Sequence, residues 1–106
     1  MKAIIWHNPR CTKSREALAL LNAAGAEVTI VEYLKSPPTR DELKRVYGRG
    51  GIAPRDATRK DAPKFADDNA ALDAMAADSA LIERPVVETE KGVVIARPPE
   101  KVHEIL

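Results

Sequence analysis

The chain has 106 residues, 44% hydrophobic and 31% charged, which supplies one compact core and too little for a second, so residues 1–106 are read as a single domain. Lysine and arginine number 17 against 16 acids, for a net charge of +1, and the only aromatics are Trp6, Tyr33, Tyr47 and Phe65, so neither bulk attraction to nucleic acid or anionic membrane nor a base-stacking platform is expected. No apolar run approaches the ~20 residues of a membrane span, Met1 to Trp6 is too short for a signal peptide, and the one cysteine, Cys11, forms no internal disulfide; a reducing, cytoplasmic setting is expected.

Lys2 to Trp6 reads as a buried strand. After the loop His7-Asn8-Pro9-Arg10-Cys11, residues Ser14 to Ala24 put Ala17, Leu18, Leu21 and Ala24 on one helical face, closed by Gly25. Glu27 to Tyr33 has the β-branched content of a second strand, and the short strand–helix–strand connection makes it parallel to the first. Pro37-Pro38 breaks the chain, and Thr39-Arg40-Asp41-Glu42 fits a capping box that opens a helix ending at Gly48 to Gly51. Ile52 to Ile82 holds no strand-like run, and Asn69 to Ala77 carries Leu72, Met75 and Ala76 on one face, which implies short helices joined by Asp and Pro turns. Val86 to Thr89, a turn at Glu90-Lys91-Gly92, and Val93 to Ala96 give a β-hairpin, and Glu100 to Leu106 a closing helix. The expected fold is α/β: a thioredoxin-like fold with a helical insertion between an N-terminal βαβ unit and a C-terminal ββα unit.

Cys11 is the centre of the chemistry. A thiol at the first turn of a helix faces unpaired backbone N–H groups, and nearby cations add to their field, so the nucleophilic thiolate is favoured. Three arginines, Arg59, Arg84 and Arg97, stand at the boundaries of elements, and Pro85 and Pro98 hold the latter two in extended geometry. Guanidinium forks converging on a helix N-terminus make a site for a tetrahedral oxyanion. A lone arginine on position alone is more often a solvated surface residue, and this applies most to Arg59. Ser14 stands where a Cys-x-x-Cys pair would have its second thiol; it either donates to the sulfur or caps the helix, and it cannot resolve a disulfide. His7 and His103 lie too far apart in sequence for a metal-ligand set, and no bound cofactor or metal is expected.

Five separated motifs then agree in order and spacing. His7-Asn8-Pro9-x-Cys11 with Ser14-Arg15, the Tyr33 to Leu43 segment, Arg59-Lys60, Arg84-Pro85-Val86-Val87 and Arg97-Pro98-Pro99-Glu100 resemble the glutaredoxin-coupled arsenate reductases over essentially the whole chain. The resemblance implies that Cys11 is the nucleophile, that His7 helps lower its pKa, and that Arg59, Arg84 and Arg97 bind arsenate or a similar oxyanion, with Arg15 counted beside them. It implies attack of Cys11 on arsenic, with glutathione as co-substrate and glutaredoxin completing the reduction. The chain departs from the best-characterised members in carrying Thr12-Lys13 where they carry Gly-Thr, and it stops soon after Glu100, which places it nearer their compact relatives. Two other readings stand beside this one: a glutathione-dependent thiol oxidoreductase of another substrate, and a regulatory binding protein of the thioredoxin fold. The second of these normally needs the cysteine pair that Ser14 removes.

Overall fold

The computed structural model describes residues 1–106. Four strands form one mixed sheet in the order β2-β1-β3-β4, with β1 at Lys2–Trp6, β2 at Glu27–Val31, β3 at Val86–Thr89 and β4 at Gly92–Ile95. β1 pairs parallel with β2 and antiparallel with β3, and β3 pairs antiparallel with β4, which is the thioredoxin-like arrangement expected. Helix α1 spans Thr12–Ala23, α2 spans Arg40–Gly50 and α3 spans Asp68–Ala77, with short 3-10 helices at Pro54–Asp56, Ser79–Leu81 and Pro99–Ile105. No helix is long and apolar enough to cross a membrane.

The period of two in the strands separates two cores. On one face Ala3, Ile5 and Val87 meet Ala17 and Leu21 of α1 and Val102 and Ile105 of the closing 3-10 helix. On the other, Trp6, Val86 and Val93 meet Leu43, Val46 and Tyr47 of α2 and Ala71, Leu72 and Met75 of α3. The sheet is therefore covered on both faces around its centre, and its N-terminal connection delivers the Cys11 loop to one end.

Two boundaries differ from expectation. β2 stops at Val31, because the carbonyl of Glu32 accepts N–H bonds from Lys35 and Ser36 and turns the chain, leaving Tyr33 buried in that turn rather than in the strand. The capping box is half made: the Thr39 hydroxyl accepts the Glu42 N–H at 3.2 Å, but the Glu42 carboxylate takes Arg45 at 2.6 Å instead of turning back. A residue on β3 draws Arg45 into this position. Glu88 accepts from Arg45 at 2.8 and 2.9 Å and from Arg49 at 3.0 Å, so two cations of α2 are pinned to the sheet.

These bonds to Arg45, against the cost of burial, hold the Glu88 carboxyl below its ordinary 4.5. A depressed acid stabilises the fold above its unfolded pKa and loses that contribution as pH falls through the folded one. Glu88→Gln should thus cost about 1–2 kcal/mol at pH 7, discounted because both arginines remain in contact with water. The difference from wild type should shrink as pH falls from the unfolded-state pKa through the lower folded-state one, and urea unfolding at neutral and at acid pH measures it.

Candidate active site

The loop between β1 and α1 is fixed mainly by its own backbone. The His7 N–H continues the ladder to the Val31 carbonyl at 2.8 Å, the Cys11 N–H donates to the Asn8 carbonyl at 3.0 Å, and the Arg10 N–H donates to Asn8 Oδ1 at 3.0 Å. Cys11 is the N-cap of α1, with extended backbone, and its thiol is partly exposed. A cap residue normally offers an oxygen to the free N–H groups behind it; here sulfur occupies that place. Burial pushes the thiol pKa up, but the Ser14 N–H, the Arg84 guanidinium and the Lys13 N–H outweigh it, and the net value lies below the ordinary 9.0. The reactive thiolate is favoured by backbone and arginine together.

Arg84 and Arg97 reach this sulfur from the two ends of the hairpin. Both precede cis prolines, and the Ala96 N–H donates to the Pro85 carbonyl at 2.9 Å, so the strand ends are tied across. Arg97 Nη1 donates to the Arg84 carbonyl at 3.0 Å and lies 3.9 Å from Cys11 Sγ. Glu83 keeps the pair in order: its carboxylate accepts the Arg84 N–H at 3.2 Å and lies 3.9 Å from Arg97 Nε. Arg59 arrives from the insertion, where its N–H donates to the Leu81 carbonyl at 2.8 Å and its guanidinium meets Asp61 at 3.3 Å. Arg59, Arg84 and Arg97 share an open cleft of about 310 Å³ with Lys60, Asp61 and Glu83, and no hydrophobic side chain lines it. Arg84 Nε is buried without an acceptor. An orphaned buried donor costs about 1–3 kcal/mol, a penalty that an anion supplying the acceptor would relieve.

Other expected site residues have different surroundings. His7 is buried, and burial holds its pKa below the ordinary 6.5, so the imidazole is neutral at pH 7 and supplies no positive charge to Cys11. Its Nδ1 lies 2.6 Å from Ser14 Oγ, which also accepts the Asn8 N–H at 3.1 Å. The Ser14 hydroxyl is thus engaged with the loop, neither capping α1 nor bonding the sulfur, while its backbone N–H faces Cys11. Arg15 braces the same loop: its guanidinium donates to the Pro9 carbonyl at 3.0 Å and to Thr12 Oγ1 at 3.2 Å, and it does not line the cleft of Arg59, Arg84 and Arg97. Thr12 thereby provides an anchor that glycine in its place would lack. Lys13 is solvated, 4.0 Å from Glu16.

Tyr33 is the site neighbour that sequence reasoning left in a strand. Burial raises its hydroxyl pKa despite the opposing influence of Arg84 and Asn8, and it stays protonated close to Cys11 and Arg59. Its position just after β2, level with the His7 loop on the parallel neighbour, was the available signal.

Comparison with known proteins agrees over nearly the full length. The model of the ArsC family matches residues 6–105. An arsenate reductase of Rhizobium meliloti (strain 1021) is 41% identical over 115 aligned residues, covering 100% of this chain and 82% of the relative. One of Neisseria meningitidis serogroup B (strain ATCC BAA-335 / MC58) is 38% identical over 113, covering 96% of both. Among solved structures, an arsenate reductase from Vibrio cholerae superposes with a TM-score of 0.92 at 39% identity, covering 100% of this chain and 98% of that one. An ArsC family related protein from Bacteroides fragilis, at 20% identity and a TM-score of 0.85, shares the fold.

Proposed function

The chain belongs to the ArsC family, and on that footing we propose that it is a glutaredoxin-coupled arsenate reductase of the cytoplasm, working through a bond between Cys11 and arsenic. The observation that carries this reading is the approach of Arg97 to within 3.9 Å of the Cys11 sulfur, the same arginine lining a cleft with Arg59 and Arg84. Nucleophile and anion-binding donors thus meet in one place. Arginine charge offsets the repulsion between a thiolate and an oxyanion, and the fork geometry suits paired oxygens.

In the proposed cycle the Cys11 thiolate attacks arsenic(V), an S–As bond forms, and one arsenate oxygen leaves as water after taking up protons. Glutathione then displaces a second oxygen as water and forms its own S–As bond. A glutaredoxin thiolate attacks the glutathione sulfur, leaving with it as a mixed disulfide while the S–As electron pair reduces arsenic to the trivalent state. One water hydrolyses the remaining Cys11–arsenic bond. Arsenate and two external thiols become arsenite, one disulfide and one water, and Cys11 returns as a thiolate. Because Cys11 has no partner cysteine in the chain, both reducing equivalents come from outside.

Pure, reduced protein supplied with arsenate, glutathione and glutaredoxin should release arsenite catalytically, read by arsenic speciation, and omission of either thiol component should stop turnover. No arsenite with the full mixture would sink the proposal. Rapid exchange of Cys11 with glutathione disulfide in that case would favour a thiol oxidoreductase of another substrate.

A further inference from the structure

Electrons that arrive on an external thiol require a seat for that thiol beside Cys11, and two clefts outside the arginine pocket are candidates. One, of about 430 Å³, lies along His7, Asn8, Pro9 and Arg10 and is closed by Glu32 and Lys35. Its charges are mixed, with Lys35 Nζ 3.8 Å from Glu32. The other, of about 330 Å³, is built from residues 55–65 and carries Arg55, Arg59, Lys60 and Lys64 against one acid, Asp56. It adjoins the arginine pocket, because Arg59 and Lys60 line both.

This basic groove is rigidly joined to the chemistry. Thr58 bridges antiparallel to Ile82, the Arg59 N–H donates to the Leu81 carbonyl at 2.8 Å, and the Glu83 N–H donates to the Ala57 carbonyl at 2.9 Å. The segment that forms the groove is therefore laced to the segment that ends in Arg84. Arg59 and Arg55 have acidic neighbours in Asp61 and Asp68, but neither Lys60 nor Lys64 has a carboxylate within 4.0 Å. A tetrahedral oxyanion held by Arg84 and Arg97 leaves the Lys64 ammonium unused, and Lys60 stands at the border of the two clefts. Phe65, partly buried, gives the same groove an apolar side suited to methylene groups.

We propose that the groove binds the carboxylates of an acidic low-molecular-weight thiol, with Lys60 and Lys64 as the counter-charges and the ligand's sulfur directed past Arg59 toward Cys11. The proposal rests on the reductase reading above, in which glutathione is that thiol, and adds the place where it docks. Carboxylates seat the ligand; its thiol remains free for the adduct.

S-methylglutathione is the probe, since it has both carboxylates, cannot form a disulfide and needs no arsenate to bind. Titrated into the full chain, it should shift backbone amide signals of residues 55–65 and of Arg84, with affinity that falls as salt rises. Lys60→Ala and Lys64→Ala should each raise its Kd up to about fivefold, and the double variant up to about 25-fold, the upper range for exposed ion pairs. Both lysines are exposed, so these variants keep the fold, checked by unchanged circular dichroism. Shifts centred on His7 to Lys35, no saturable binding, or an unchanged Kd in the double variant would overturn the assignment. So would a response to intact glutaredoxin with none to the small thiol. Loss of the reductase reading would register separately, as absent arsenite formation in a protein that still binds the probe.

Discussion

Cys11→Ser should form no measurable arsenite, a loss on the order of 10⁴-fold or more, comparable with removal of a covalent nucleophile elsewhere. Serine keeps the backbone of the α1 N-cap and all three arginines, so arsenate should still bind, read by calorimetry. Arg84→Ala should behave differently, because that guanidinium acts on both partners of the reaction. It is one of the groups holding the Cys11 pKa down, and it carries the buried Nε that lacks an acceptor. Its removal should weaken catalysis by about 10²–10³-fold, as for loss of an oxyanion donor. The pH at which iodoacetamide alkylates Cys11 at half its maximal rate should move upward. Of the total defect, the part due to lost thiolate should be largest below both thiol pKa values and disappear once pH exceeds both. An alkylation profile unchanged from wild type would contradict the role given to Arg84.

Trp6→Ala should cost about 3–5 kcal/mol, the range for truncating a large buried aromatic. Trp6 is 5% exposed at the end of β1, and its ring meets the buried Tyr47 edge-on, with centroids 6.1 Å apart at 75°. The pair joins the sheet to α2, so the substitution leaves a cavity between two layers instead of a dent in one. For a chain of this size the melting temperature should fall by roughly 20 °C. Circular dichroism is the appropriate probe, since the chain's one tryptophan is the residue removed. Trp6→Phe retains a ring for Tyr47 and should recover much of the loss. A fall of only a degree or two in Trp6→Ala would show that the layers hold together without this contact.

The strands and helices were legible where pattern and punctuation agreed. β1 runs from Lys2 to Trp6 as its apolar run and the following His7-Asn8-Pro9 break suggest, and the hairpin turns at Glu90 and Lys91. Cys11 was legible as a reactive thiol, because helix-start geometry is local. The meeting of Arg59, Arg84 and Arg97 came from the resemblance and from element order, with Pro85 and Pro98 marking two of them and nothing local marking Arg59. Arg15 turns to Pro9 and Thr12, its own loop, while Arg97 crosses 86 positions of sequence to the sulfur. His7 was legible as a neighbour of Cys11, but its burial, which decides its protonation, was not. The Glu42 carboxylate was misassigned for a related reason: Arg45, itself held by Glu88 of a distant strand, is the stronger attraction. What escaped reading in each case was a partner chosen by tertiary packing.

The contact between Cys11 and Arg97 has a bearing on the life of the protein in the cell. The groups that act on the sulfur come from the start of α1 and from Arg84 and Arg97 at the two ends of the hairpin, so no short fragment of the chain contains them all. A misfolded or partly synthesised copy holds an ordinary, mostly protonated thiol. The heightened reactivity therefore depends on the completed fold and is lost with it. The same dependence runs in reverse: an oxyanion that binds only the assembled cleft stabilises the native population by RT ln(1 + [L]/Kd), so exposure to the toxic anion would itself protect the protein from unfolding and proteolysis.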